Sequence, residues 1–296
     1  MTLASKVVYN YLRTKKKFPH VWCPGCGIGI AMGALLRSLA DLETDKNDVV
    51  MVSGIGCTGR MPVYCDFNTL HTTHGRALAF ATGVKIAKPR LKVIAVVGDG
   101  DGLAIGGNHF IHAARRNIDI TVLLVNNKIY GMTGGQYSPT TPWQKIGSTA
   151  PHGNVEHPFD VHGLTKGAGA TYFARGTVYH AAQMQTLLRG ALENKGFSVV
   201  EVMSNCHTLY GRLNREGSAV KMIEWMKTHS VNVKAAEKKT PEELEDKFIT
   251  GVLWQDDRPE YCEQYENLIV RLGGRPKSSE HELELAKHRE SVEKAE

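Results

Sequence analysis

Residues 92–136 read KVIAVVGDGDGLAIGGNHFIHAARRNIDITVLLVNNKIYGMTGGQ, and the fold is decided here. An apolar, β-branched run at 93–97 drives into Gly98-Asp99-Gly100-Asp101-Gly102. Short runs of this kind bounded by glycine read as buried parallel strands. A helix is expected over 103–116, then a second strand over 118–125 that stops at Asn126-Asn127. The unit is strand, acidic glycine loop, helix, strand, amide loop, which belongs to an α/β domain with a mostly parallel sheet flanked by helices. Such sheets bind ligands outside the carboxyl ends of their strands, so both loops should face one pocket.

Glycines at 98, 100 and 102 allow close backbone approach to a ligand, which suggests a phosphate cradle. Asp99 and Asp101 would repel a diphosphate unless a cation sat between them. A hard divalent ion such as Mg²⁺ takes oxygen from one or two side chains together with the phosphates. Asp99 offers a carboxylate, Asn127 an amide oxygen and Ile129 a main-chain carbonyl. A dinucleotide loop is the alternative, although that fingerprint wants its acidic residue far downstream rather than inside the loop. GDG followed by NN after one helix and one strand resembles the thiamine-diphosphate motif. That resemblance implies Mg²⁺ held by Asp99, Asn127 and the main chain of Ile129.

The chain has 296 residues, 42% of them hydrophobic, enough for one large α/β domain with appendages. No apolar stretch approaches a membrane span, and residues 1–18 lack the continuous apolar core of a secretory signal, so a cytoplasmic protein is expected. The net charge of +6 is modest. The run Lys15-Lys16-Lys17 reads as a solvated face or a surface that steers an acidic protein partner. No aromatic-interleaved basic patch points to nucleic acid.

Six cysteines in a chain read as intracellular argue for metal or redox chemistry over disulfides. Cys23 and Cys26 lie in WCPGCG, Cys57 in SGIGCTG and Cys206 in MSNCHT. Cys57 follows an expected strand at 49–53 and Cys206 another at 197–203, which puts both near the glycine loop. Four thiolates there could bind zinc or a [4Fe–4S] cluster, and the CxxC alone could be a redox pair. Cys65 and Cys262 lack such settings and read as plain thiols.

WCPGCG, GIGC, HGRALAFATGVK from His74, GDG, NN and YGMTGGQ stand in the order found in the β subunits of 2-oxoacid:ferredoxin oxidoreductases, which the chain resembles over about residues 21–206. The resemblance implies a [4Fe–4S] cluster on Cys23, Cys26, Cys57 and Cys206. It also implies thiamine-diphosphate contacts from Ile55, Gly56, Cys57, His74, Gly98, Asp99, Gly100, Asp101, Asn127, Ile129, Tyr130, Gly131, Met132 and Thr133. One departure is Asn205, where the family often has proline before the last cysteine. His74 and Arg76 open an expected helix over 76–88 whose amino end favours an anion, and in the family this segment lines the pocket. Helix capping by His74 and a carboxylate partner for Arg76 are the plainer alternatives. Arg60 stands where related enzymes often carry a basic residue for the oxoacid carboxylate. Thr133 and Gln136 could donate to the diphosphate or substrate. Gly134 stands where broad-specificity members often have lysine, and the GLTGGQ-like pattern favours 2-oxoglutarate.

Residues 138–158 are rich in proline and glycine and read as a functional or interface loop. One more α/β pass is expected, with helices over 159–167 and 178–194 and strands over 171–174 and 197–203. Beyond Gly211 the chain becomes more charged, with helices near 218–228 and 241–248, a strand at 250–255 and a helix from Pro259. The tail 277–296 reads as a frayed helix or docking segment. The expected division is an N-terminal segment 1–20, a cofactor domain 21–210 and a C-terminal extension 211–296 that contacts another subunit.

Thiamine enzymes draw a glutamate from a second α/β domain to activate the cofactor, and this chain has room for one. The resemblance therefore implies an α subunit that supplies the glutamate and the coenzyme A contacts, in an (αβ)2 assembly. The expected reaction is 2-oxoglutarate, coenzyme A and oxidised ferredoxin to succinyl-CoA, CO2 and reduced ferredoxin, in either direction. Pyruvate or broad specificity, a non-oxidative thiamine-dependent decarboxylase or carboligase, and a zinc-stabilised scaffold are the rivals.

Overall fold

The computed structural model describes residues 3–15 and 18–275. Lys16, Lys17 and the tail 277–296 lie outside the described residues. Strands β1 (Val49–Ser53), β2 (Asn68–His71), β3 (Lys92–Gly98), β4 (Thr121–Asn126), β7 (Tyr172–Thr177), β8 (Ser198–Met203), β9 (Ser230–Asn232) and β10 (Phe248–Gln255) form one sheet, and β5 (Ile129–Tyr130) pairs with β6 (Gln136–Tyr137) in a small ribbon. The sheet order is β2-β1-β3-β4-β8-β7-β10-β9. The first six strands are parallel; β10 runs antiparallel to β7, and β9 is parallel to β10.

The apolar runs became interior strands because both sheet faces are covered. Alternate side chains go to opposite layers, so Val49 and Met51 pack on one side and Val50 and Val52 on the other. Helices α1 (Leu3–Asn10), α2 (Ile28–Asp41) and α3 (Ala77–Ala87) precede β3; α4 (Gly107–Arg115), α5 (Val161–Ala168) and α6 (Ala181–Glu193) lie between β3 and β8. Helices α7 (Ala219–His229), α8 (Val233–Ala236) and α9 (Tyr261–Arg271) follow. Leu35, Leu36 and Leu39 of α2 share one core with Met184 and Leu188 of α6, while Leu78 of α3, Phe110 of α4 and Cys262 of α9 belong to the other. No described helix is long and apolar enough to cross a membrane.

Two expected elements differ. The helix expected over 103–116 starts as a wide turn, Gly100–Ile105, and becomes α4 only at Gly107. Gly106 sits at the joint because a Cβ there would stand 2.4 Å from the Asp101 carbonyl. The helix expected near 241–248 is a single 3₁₀ turn, Glu242–Leu244. Thr240 and Glu243 cap each other, but Asp246 at φ +59° turns the chain into β10, whose pairing with β7 wins over local helix propensity. Helix α2 and the edge strand β2 had no counterpart in the sequence reading.

Candidate cofactor and thiol site

The loops after β1, β2, β3, β4 and β8 meet at the carboxyl edge of the sheet. One cleft there is lined by Ile55, Gly56, Cys57, His74, Gly98, Asp99, Gly100, Asp101, Asn127, Ile129, Tyr130, Gly131, Met132 and Thr133. All the residues assigned to cofactor contact from the sequence lie in it, joined by Thr58.

Asp99 is 2% exposed, and its Oδ2 accepts from the hydroxyls of Ser138 at 2.7 Å and Thr140 at 2.6 Å. Burial pushes its carboxyl up to about 6 despite those bonds. A carboxylate held in a dry pocket beside an amide and main-chain carbonyls suits a divalent cation. The Asn127 Oδ1 accepts a 3.3 Å bond from Ile129 N–H, and Lys128 between them is held at φ +64°. Thr141 donates to the Lys128 carbonyl at 2.6 Å, so residues 138–141 clasp the amide turn from outside. Ser138 and Thr140 were not singled out in the sequence; the only signal was a cluster of hydroxyls in a segment read as irregular.

Asp101 acts differently from the carboxylate beside the diphosphate that the sequence suggested. Its Oδ1 accepts from Gly75 N–H at 2.7 Å, Ile55 N–H at 3.2 Å and His74 Nδ1 at 2.6 Å, while Oδ2 has no partner among the described residues. Asp101 thus ties the loops after β1 and β2 to the glycine loop. The contact of His74 Nδ1 with Asp101 fixes the ring at the wall of the cleft. Tyr130 donates to the Gly100 carbonyl at 3.0 Å, and a Cβ on Gly100 would stand 2.3 Å from its ring. Glycine is needed at 100 for this packing.

The four loop cysteines line a second cavity with Trp22, Asn127, Gly131, Met132 and Asn205. Cys23 and Cys206 each place their sulfur 3.9 Å from the Thr208 hydroxyl. A Cβ on Gly131 would stand 3.5 Å from the Cys57 sulfur and 3.6 Å from that of Cys206. Trp22 fixes the Cys57 loop by donating to its carbonyl at 2.7 Å. Burial first, then repulsion from neighbouring thiolates, raises Cys57 to about 11; burial likewise raises Cys26 to about 11. Cys26 and Cys57 therefore hold their protons until a metal displaces them. Among the described residues no three His, Cys, Asp or Glu side chains converge tightly enough for a single ion. Zinc needs its sulfurs about 2.3 Å from one point. Four cysteine side chains lining one cavity are a donor set that zinc and a [4Fe–4S] cluster both take. Cys65 and Cys262 are buried elsewhere.

Of the candidate substrate residues, His74 and Thr133 line the first cleft, whereas Arg60, Arg76 and Gln136 line neither cavity. Arg60 is half-buried on the 3₁₀ turn Thr58–Val63 and lines neither cavity. Arg76 donates to the carbonyls of Gly75 and Ile105 at 3.2 and 3.1 Å and pairs with no carboxylate among the described residues. Thr133 and Gln136 bond each other at 2.6 and 2.9 Å.

Residues 54–202 match the family described as thiamine pyrophosphate enzyme, C-terminal TPP binding domain. The chain is 46% identical over 275 residues to the 2-oxoglutarate synthase subunit KorB of Methanothermobacter marburgensis, covering 93% of this chain and 96% of that one. It is 46% identical to the Archaeoglobus fulgidus subunit of the same name, over 89% of this chain and 96% of the other. A solved structure titled 2-oxoglutarate:ferredoxin oxidoreductase from Magnetococcus marinus with 2-oxoglutarate, coenzyme A and succinyl-CoA bound superposes with a TM-score of 0.80 at 33% identity, over 90% of this chain and 91% of that one. Glycine loop, amide turn and thiol-lined cavity thus stand on a sheet shared with these proteins, and the chain belongs to the thiamine-diphosphate-binding β subunits of the 2-oxoacid:ferredoxin oxidoreductases.

Proposed function

We propose that this chain, with an α subunit, oxidatively decarboxylates 2-oxoglutarate in the presence of coenzyme A and passes the electrons to ferredoxin, the reaction also running in reverse. One observation carries the reading: Cys57, Asn127, Gly131 and Met132 line both the glycine-loop cleft and the thiol cavity. A cofactor in the first would touch a wall of the second, as electron removal from a substrate requires. A non-oxidative thiamine enzyme has no use for four thiols at that wall.

Bound thiamine diphosphate supplies the electron sink for decarboxylation, and a [4Fe–4S] cluster the one-electron outlet. Asp99, Asn127 and the Ile129 carbonyl hold Mg²⁺ and through it the diphosphate. Cys23, Cys26, Cys57 and Cys206 hold the cluster. Asp101 positions His74 at the wall of the cleft, Tyr130 braces the glycine loop, and Arg60 takes the substrate carboxylate. The α subunit supplies the activating glutamate and the coenzyme A contacts in an (αβ)2 complex in the cytoplasm, and residues 211–296 contribute to that contact.

The test is anaerobic purification with the co-expressed α subunit, followed by 2-oxoacid-dependent reduction of a viologen dye. We expect a brown complex with about four irons per αβ unit, reducing dye with 2-oxoglutarate in preference to pyruvate. A colourless, zinc-containing complex that decarboxylates without reducing dye would overturn the reading.

A further inference from the structure

Glu201 is 2% exposed in the middle of β8, a strand buried along its whole length, and it plays no part in the chemistry above. A buried carboxylate is costly, and an apolar side chain in a central strand would avoid that cost. Its two oxygens are both used. Oε2 accepts from Arg175 Nε on the neighbouring strand β7 at 2.5 Å, and Oε1 accepts from Asn126 Nδ2 on β4 at 2.7 Å. Asn126 immediately precedes Asn127. With its amide nitrogen turned to an acceptor-only group, Asn126 must present Oδ1 to the other side, where it meets Lys128 N–H at 3.1 Å and the Thr140 hydroxyl at 2.9 Å. The same hydroxyl lies 2.6 Å from Asp99.

We propose that the Arg175–Glu201 pair is a positioning device for the cation site: by fixing the Asn126 amide it sets the Asn127 turn through Lys128 N–H, and Asn126 Oδ1 shares with Asp99 the single proton of the Thr140 hydroxyl. Groups that orient metal ligands from behind govern metal affinity although they never touch the metal. Arg175 also bonds the Ile249 carbonyl of β10 at 3.4 Å, so the chain of contacts runs from the cation site to the C-terminal strand of the sheet.

The inference rests on the Mg²⁺–thiamine reading, and its test uses the intact αβ complex. Arg175→Met/Glu201→Leu removes both charges together, a replacement that buried pairs often tolerate. We measure the Mg²⁺ dissociation constant in saturating thiamine diphosphate, the thermal midpoint and the iron content. A positioning role predicts Mg²⁺ binding weakened about 10–100-fold with midpoint and iron near wild type. Should the double variant not fold, Glu201→Gln keeps the volume but cannot accept from Asn126 and Arg175 at once, and the same measurement then predicts a smaller loss in the same direction. Wild-type Mg²⁺ affinity in either folded variant overturns the inference alone. A wild-type complex without Mg²⁺-dependent thiamine binding overturns the underlying reading as well.

Discussion

Asn205 grips Gly25 from 180 residues away: its Nδ2 donates to the Gly25 carbonyl at 2.9 Å, and its Oδ1 accepts from Gly27 N–H at 3.0 Å. Asn205 is fully buried and directly precedes Cys206, while Gly25 and Gly27 flank Cys26. The amide therefore joins the two cysteine-bearing loops before any metal does. Proline, the residue from which the sequence departs here, could make neither bond.

Asn205→Leu should leave the αβ complex assembled but deplete its iron severalfold. Stability should fall by about 1–3 kcal/mol for each main-chain group left unpaired. Asn205→Asp keeps the bond from Gly27 and loses the one to Gly25, so it should lie between. Iron and sulfide content after anaerobic purification decide the matter, and a full complement in Asn205→Leu would refute the idea.

Asp99 supplies a pH dependence. Burial raises its carboxyl from 3.8 to about 6, so the folded chain holds that proton more tightly than the unfolded one. The stabilising contribution is complete below about 4 and lost as pH rises through about 6, on the order of 3 kcal/mol. Mg²⁺ competes with the proton, so Mg²⁺ should stabilise the complex little at about pH 5 and strongly at about pH 7. Asp99→Asn should flatten both trends. Thermal midpoints with and without Mg²⁺ test this, and a Mg²⁺ effect independent of pH would count against Asp99 as the ligand.

What could be read in advance follows from the range of the interactions. Strands β1, β3, β4 and β8 announced themselves because burial on both faces demands unbroken apolar runs, and the glycine, amide and cysteine loops sit at their ends. The roles of polar side chains did not, since they depend on partners distant in sequence. Asp99 and Asp101 are near twins in the sequence, yet one meets the hydroxyls of Ser138 and Thr140 and the other clamps Ile55 and Gly75. Thr140 and Glu201 escaped notice for the same reason.

The clamp at Asp101 can be tested from its far side. A Cβ on Gly54 would stand 2.1 Å from Asp101 Oδ2, and Asp101 cannot retreat while Oδ1 holds Gly75 and Ile55. Gly54→Ala should therefore destabilise the complex by about 1–3 kcal/mol and release thiamine diphosphate. Wild-type thermal stability and cofactor retention would show that the loops move freely and that Asp101 holds nothing.

Arg60 carries the last prediction. It sits three residues past Cys57 on a turn anchored by Arg60 N–H to the Cys57 carbonyl at 3.2 Å, and its guanidinium has no ion-pair partner among the described residues. Arg76 is already committed to two carbonyls, which makes Arg60 the better candidate for a substrate carboxylate. A charge-assisted bond contributes about 1.5–3 kcal/mol, so Arg60→Ala should raise the KM for 2-oxoglutarate about 10–100-fold. Iron content and Mg²⁺ affinity should stay at wild type, because Arg60 lines neither cavity. Arg60→Lys keeps the charge without the planar fork and should recover only part of the loss. An unchanged KM in Arg60→Ala would remove this residue from substrate binding and leave the carboxylate to a group on the α subunit.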